Sequence, residues 1–233
     1  MNWDRAKPYN TFSGTISNAS AKEELARHVA DRVQNGQVIG VGSGSTAYVA
    51  IQAIAERVHR ENLGISVVCT SPEVTLACAA LDLPIGSLLQ RRPDWAFDGA
   101  DEVDPDRNLI KGRGGAMFME KVMMHAAPKN FILVDQSKLV PKLGAKFPIP
   151  VEVLPVAMRL AEFELQSLGA TEIVMRLAVK KDGPVITENG NFILDVRFPE
   201  IHKSLECDIK SIPGVIESGL FWGKDIEVVV ARE

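Results

Sequence analysis

The chain has few cysteines, no basic stripe and no long apolar run, and each shortage removes a class of protein. Cys69, Cys78 and Cys207 are too few and too scattered for a disulfide framework or a CxxC zinc site, a pattern that suits a reducing compartment. A formal charge of -4 without a lysine- and arginine-rich stripe argues against a general nucleic-acid binder. No segment approaches the roughly 18 apolar residues of a membrane span, and the N-terminal MNWDRAKPYNTFSGTISNAS lacks the apolar stretch of a secretion signal. There is no internal repeat and no low-complexity linker. What is present is ordinary for a soluble globular chain: 233 residues, 46% apolar and 24% charged, enough for one large domain or two small ones. These features predict a cytoplasmic protein with a small-molecule partner and an N-terminal tail that is loose or packed on a partner.

From Ser20 onward helix and strand signals alternate. Ser20-Ala21-Lys22-Glu23 reads as a capping box, followed by Leu25, Ala26, Val29, Ala30 and Val33 at helical spacing and closed by Asn35-Gly36. Strands are expected at 38–41, 65–70, 95–97, 109–110 and 131–134. Helices are expected at 48–58, 73–81 and 116–127, the second of these started by Ser71-Pro72. This rhythm predicts a mostly parallel Rossmann-like sheet with helices on both faces. After Lys142 the order becomes strand (151–154), helix (156–168), strand (172–179), a hairpin of 185–187 and 192–196 around Glu188-Asn189-Gly190-Asn191, helix (201–212) and strand (215–221). That order predicts a smaller ferredoxin-like α+β domain. The expected division is residues 1–141 with 225–233, the last strand (226–230) returning to the first sheet, against residues 142–224.

Four groups of residues stand out chemically. Gly40-Val41-Gly42-Ser43-Gly44-Ser45-Thr46 lies between a strand and a helix, where glycines permit close backbone approach and uncapped N–H groups attract an anion such as phosphate. The plain alternative is a tight turn with Ser45 or Thr46 as N-cap. The Walker lysine and the third glycine of a dinucleotide loop are both missing, which favours a small phosphorylated molecule over a nucleotide. Lys22 stands in the first turn of its helix, on the apolar face and against the helix dipole, so that either a nearby anion or a snorkelling side chain accounts for it. Asp98 and Asp101 in DGADEVDP follow a strand end, where ligands gather in open α/β sheets; Glu102, Asp104 and Asp106 read as solvated, and a magnesium or calcium site is a rival reading. Finally, Lys111-Gly112-Arg113-Gly114-Gly115 precedes a helix on which Glu120 has Ala116, Met117, Met123 and Met124 as helical neighbours. A desolvated carboxylate there suits proton abstraction, although a structural Glu paired with a lysine fits the same pattern. His28, His59, His125 and His202 show no ligand or triad spacing, and Lys138 sits in a polar turn after a strand.

GVGSGSTA, TSPEVT, DGADEVDP, KGRGGAMFMEK, FPIPVEVLP, ENGNFILDV and IPGVIESGLF occur together and in order, and the chain from Ala21 onward thereby resembles the type A ribose-5-phosphate isomerases. The resemblance implies a cofactor-independent and metal-free interconversion of ribose 5-phosphate and ribulose 5-phosphate in the non-oxidative pentose phosphate pathway, by a homodimer or homotetramer. It implies Glu120 as general base, Asp98 and Asp101 acting on ring opening and sugar hydroxyls, and Lys111 stabilising the intermediate. Lys22, Ser43, Gly44, Ser45, Thr46, Gly112, Gly114 and Lys138 are implied substrate contacts. Arg113 departs from the family, which usually has glycine there; its side chain either points outward or adds a donor to the phosphate. Two rivals remain: a sugar-phosphate sensor, which would not need Glu120 or Lys111, and an aminosugar-phosphate deaminase, which would need a well-placed histidine.

Overall fold

The computed structural model describes residues 16–223 and 225–231, so the expectation for the tail lies, over residues 1–15, outside the described residues. In chain order the elements are α1 (Ala19–Ala30), β1 (Val38–Val41), α2 (Gly44–Glu61), β2 (Ser66–Cys69), α3 (Pro72–Ala80), β3 (Trp95–Asp98), β4 (Glu102–Val103), β5 (Leu109–Ile110), α4 (Met117–Ala126), β6 (Asn130–Val134), β7 (Ile149–Val153), α5 (Met158–Ser167), β8 (Glu172–Met175), β9 (Phe192–Arg197), α6 (Leu205–Lys210), β10 (Val215–Ser218), β11 (Leu220–Phe221) and β12 (Glu227–Val230). They form two compact units: Met1–Gly99 with Met123–Gln136 and Ile226–Glu233, and Ala100–Val122 with Ser137–Asp225.

The first unit is a five-stranded sheet in the order β12-β6-β3-β1-β2, parallel throughout. Because side chains alternate along a strand, Ile39, Val41, Val67, Phe97, Phe131 and Leu133 join Leu25, Val29, Ile51, Ile54 and Val74 of α1, α2 and α3 in one core. Val38, Val68 and Ala96 pack with Met123 and Ala127 on the other face. Helices therefore cover both faces, as the alternating rhythm predicted, and β12 returns to this sheet beside β6. Glycine suits position 40 in this arrangement, since a Cβ there would lie 2.7 Å from Ala96 Cβ on the neighbouring strand as well as 2.5 Å from the Met123 sulfur.

Two helix starts differ from expectation. The capping box at Ser20 does not form: Asn18 is the N-cap of α1, in the left-handed region, and its Nδ2 donates to Asp135 Oδ2 at 3.1 Å instead of capping the helix. The helix ends at Ala30, and Val33 remains buried in the turns that follow. α2 starts at Gly44, four residues earlier than expected, which places Ser45 and Thr46 inside its first turn and Ser43, in extended conformation, at its N-cap. At α3 the expected Ser71-Pro72 start is present, with Ser71 Oγ accepting from Val74 N at 3.2 Å.

The second unit contains an antiparallel sheet in the order β10-β7-β9-β8, with α5 between β7 and β8 and α6 between β9 and β10. This is the ferredoxin-like plan, with Val151, Val153, Leu194, Val196, Ala161, Leu165, Leu205 and Ile209 in its core. The strand expected at 185–187 does not form; Thr187 and Asn191 instead close a turn on the end of β9. The strand expected at 215–221 breaks at Gly219, and its second piece, β11, pairs with β5 in a three-stranded sheet β11-β5-β4. That sheet accounts for the different division of the chain: residues 100–122 and 137–141 belong to the second unit because β4 and β5 pair with β11, and Val140 N bonds to Val103 O. Among the described residues no helix is long and apolar enough to cross a membrane.

Gly219 joins the two sheets of this unit. Its N–H donates to Pro150 O at 2.7 Å, its carbonyl accepts from Lys111 N at 2.9 Å, and a Cβ would stand 2.2 Å from Lys111 O. Backbone cannot yield as a flexible side chain can. Gly219→Ala is therefore expected to lower stability by about 1–3 kcal/mol, read as a lower urea midpoint with unchanged slope. An unchanged midpoint would contradict this account of the junction.

Candidate active site

In the first unit the residues singled out from the sequence meet at the carboxyl ends of β1 and β3. Gly42 follows β1, and its N–H donates to Phe97 O at 2.9 Å; an added Cβ would lie 2.1 Å from Asp98 Cγ. Glycine is needed here because the Asp98 carboxylate occupies that space. Asp98, buried at the end of β3, accepts Ser43 N (3.1 Å) and Gly99 N (2.7 Å) on the same oxygen, Oδ1. Gly44 adopts φ +83, a conformation costly for any residue with a Cβ, and α2 starts there. Lys22 is buried, and its Nζ donates to Ser45 Oγ at 2.8 Å. One unit thus gathers Lys22, Ser43, Gly44, Ser45, Thr46 and Asp98 around a helix N-terminus. This is a setting for an anion, with a cation beside the backbone N–H groups.

The second unit gathers the rest. Lys111 follows β5, and Gly112 (φ +96) and Gly115 (φ +92) turn the chain so tightly that a Cβ on Gly112 would lie 2.8 Å from Met117 Cβ. The turn delivers α4, on whose apolar face Glu120 is buried, as its methionine neighbours predicted. Lys111 Nζ lies 3.3 Å from Glu120 Oε2, with 3% and 4% of the two side chains exposed. The pairing with a lysine named as the structural alternative is therefore present, and its partner is the lysine singled out independently for chemistry. Asp101 Oδ2 accepts Arg113 N at 3.1 Å. Burial pushes the Asp101 carboxyl above its ordinary value; the nearby Lys111 charge and the Arg113 N–H pull it back only in part.

Lys138 ends a short 3-10 turn, with its Nζ 5.4 Å from the Phe147 ring centroid. The Arg113 guanidinium lies 5.8 Å from the same centroid, and Arg113 is exposed. Of the two readings for Arg113, this is the outward one: the loop uses its backbone and leaves its side chain on an aromatic ring. Gly114 is also exposed.

Three functional or structural residues escaped sequence reasoning. Glu102, read as solvated, has no exposure at all, and its carboxylate accepts the N–H groups of Gly144, Lys146 and Phe147 at 2.5–2.7 Å. Asp104 is tied to Asn108 by two hydrogen bonds, and of this acidic run Asp106 is the residue exposed as expected. Lys121, beside Glu120, donates to Glu206 Oε1 (2.7 Å), Glu217 Oε1 (3.0 Å) and Leu220 O (2.7 Å). Arg176 reaches the backbone of the Lys111 loop. No local signal announces Glu102, Lys121 or Arg176, because every partner of theirs is distant in sequence. His28 meets Arg32, His59 meets Leu81 O and His202 meets Ser204, which are packing and surface contacts. Among the described residues no three His, Cys, Asp or Glu side chains come together to hold a metal ion.

Taken by itself, the second unit's buried carboxylate facing a buried ammonium is equipment for proton transfer, and the first unit's helix start is by itself a setting for an anion. Residues 66–233 match the family model of ribose 5-phosphate isomerase A (phosphoriboisomerase A). The ribose-5-phosphate isomerase A of Thermosynechococcus vestitus is 46% identical over 204 residues, which cover 86% of each chain. The solved structure of ribose 5-phosphate isomerase A from Methanocaldococcus jannaschii superposes with a TM-score of 0.89 at 42% identity, covering 93% of this chain and 96% of that one. A D-ribose-5-phosphate isomerase solved in complex with phospho-erythronic acid gives 0.87 at 41%, with the same coverage. The chain belongs to the ribose 5-phosphate isomerase A family.

The Lys121 cluster generates a pH prediction. Burial alone would raise the Glu217 carboxyl, but Lys121, the Ser218 N–H and Lys210 together hold it below its ordinary value of 4.5. A depressed folded value means stabilisation that is complete above the unfolded value and is lost as pH falls through the folded one. Glu217→Gln should therefore be less stable than the parent by about 1–3 kcal/mol at neutral pH. The difference should shrink below pH 4.5, as read from urea midpoints across the acid range. A pH-independent difference would show that the charge of Glu217 is not what stabilises.

Proposed function

We propose that this chain interconverts D-ribose 5-phosphate and D-ribulose 5-phosphate through an enediolate, with Glu120 as the base and no cofactor. The observation that carries the reading is the buried Lys111–Glu120 pair, 3.3 Å apart, on the segment whose motif is shared with the family. Glu120 takes the proton from C2 of the open-chain sugar and returns it to C1. Lys111 offsets the negative charge that develops on the substrate oxygen during this transfer. Asp98 and Asp101 act on ring opening and the sugar hydroxyls.

The phosphate goes to Ser43, Gly44, Ser45, Thr46 and Lys22, and Gly112, Gly114 and Lys138 complete the substrate contacts. Anchoring the unreactive end of the substrate holds C1 and C2 in place for the base. This reaction belongs to the non-oxidative branch of the pentose phosphate pathway, and a cytoplasmic location is supported by the few, scattered cysteines. A sensor would need neither Glu120 nor Lys111 to hold a phosphate. For the deaminase, His28, His59 and His202 are engaged in packing and surface contacts.

An assembly of two or four copies fits the surface of the second unit. Leu160 and Phe163 of α5 and Val156, in the 3-10 turn that precedes it, are exposed apolar residues, Val156 by 93%. β8 is the terminal strand of its sheet and carries Val174 half exposed. Light scattering is expected to give a dimer or tetramer mass, with Phe163→Glu shifting it towards the monomer. A monomeric parent would overturn this part of the reading.

With purified protein and ribose 5-phosphate, ketose formation is expected with or without EDTA. Glu120→Gln should lower kcat by about 10²–10⁴ while still binding substrate. Lys22→Ala should raise KM about tenfold with kcat nearly kept. Near-parent kcat in the first variant would remove Glu120 from the role of base, and unaltered KM in the second would remove Lys22 from the phosphate contacts.

A further inference from the structure

The loop that carries Lys111 is held by a residue with no assigned role. Arg176, just past β8, donates from Nη1 to two successive carbonyls of that loop, Gly112 O at 3.0 Å and Arg113 O at 2.9 Å. Its remaining nitrogens are taken by Asp195 of β9: Nε donates to Oδ2 at 2.8 Å, and Nη2 pairs with Oδ1. The carboxylate fixes the plane of the guanidinium, and the guanidinium fixes two peptide groups next to Lys111. Arg176 is itself tethered to the sheet, its N–H donating to Ile193 O.

The rest of the loop is held with equal economy. Lys111 N is bound to Gly219 O, Arg113 N to Asp101 Oδ2, and Gly115 N to Gly112 O. None of these contacts holds the Gly112 and Arg113 carbonyls from outside the loop. With Gly112 at φ +96 and Gly115 at φ +92, the loop has glycine freedom at both bends, so its resting geometry depends on external hydrogen bonds. The side chains of Arg176 and Asp195 are 17% and 21% exposed, sheltered enough for a charge-assisted pair to keep its geometry.

We propose that Arg176, braced by Asp195, is a positioning residue for the isomerase reaction: it clamps the Gly112 and Arg113 carbonyls and so sets where the Lys111 ammonium stands relative to Glu120. The inference rests on the role given to Lys111 above. It goes beyond that role by making the second unit's sheet the source of the site's geometry. Because Lys111 acts on charge that develops only during proton transfer, misplacing it lowers kcat more than it raises KM. Lysine is no substitute, since one ammonium cannot hold two carbonyls and a carboxylate in the flat fork of a guanidinium.

The test compares Arg176→Ala, Arg176→Lys and Lys111→Ala with the parent. Ribose 5-phosphate isomerisation is assayed with and without millimolar guanidinium ion, and each variant's folded fraction is checked by thermal unfolding. Expected are a fall in kcat on the order of 10- to 100-fold for both Arg176 variants with KM changed by less than threefold. Guanidinium should recover part of the activity of Arg176→Ala and none of that of Lys111→Ala. The proposal is overturned if Arg176→Ala keeps kcat within twofold, if its loss merely follows the folded fraction, or if guanidinium restores nothing at constant folded fraction. Near-parent activity in Lys111→Ala would instead overturn the role of Lys111.

Discussion

Lys111 and Glu120 are charged groups with almost no contact with water, and much of the second unit is arranged around the cost of keeping them so. Removing a carboxylate or an ammonium from water costs several kcal/mol each, which their attraction returns only if both are held in good geometry. Each is fastened through its backbone as well as by the contact between the two side chains. Gly219 binds the Lys111 peptide, and Arg176 binds the two carbonyls that follow. Glu120 is held through α4, whose next residue, Lys121, is anchored by Glu206, Glu217 and Leu220 O.

The first unit follows a different principle, close approach of backbone. Gly40 lets α4 reach the sheet, and Gly42 leaves space for the Asp98 carboxylate, so that Asp98 orients Ser43 and Gly99 through one oxygen. The same carboxylate therefore shapes the helix start to which the phosphate is assigned in the proposed function. Lys22 supplies the positive charge from a helix adjoining in the core, at the cost of standing in its own first turn, where the dipole opposes it.

Much of this was legible in the sequence wherever the signal is local. The alternation of apolar runs with Ser-Pro and Gly-rich turns marked the parallel sheet; the apolar neighbours of Glu120 marked its burial; and the absence of a Walker lysine turned the glycine loop away from nucleotides. Local signals failed where the partner is far along the chain. Glu102 looks like one more wet carboxylate in DGADEVDP, yet its three donors lie 42–45 residues away. Ser20 satisfies the pattern of a capping box, but Asn18 is fixed from outside by Asp135, 117 residues distant, and the helix starts before Ser20. Arg176 falls inside the strand expected at 172–179 and draws no notice until the Lys111 loop, 64 residues earlier, is placed under it.

The stretch DGADEVDPDRNLIKGRGGAMFMEK illustrates the division between the two sources of information. Its residue types and spacing were sufficient to single out Asp98, Asp101, Lys111 and Glu120, because the polarity and desolvation of a side chain on a helix or at a strand end depend on neighbours a few positions away. The tertiary structure alone decided that Asp98 belongs with the helix start of the first unit while Asp101 lies with Lys111 and Glu120 in the second. It also decided that Arg113 faces an aromatic ring and that Arg176 and Gly219 hold the loop in place. Those outcomes depend on hydrogen bonds between segments brought together only when both sheets have formed, and a one-dimensional pattern carries no record of which distant donor will meet which carbonyl.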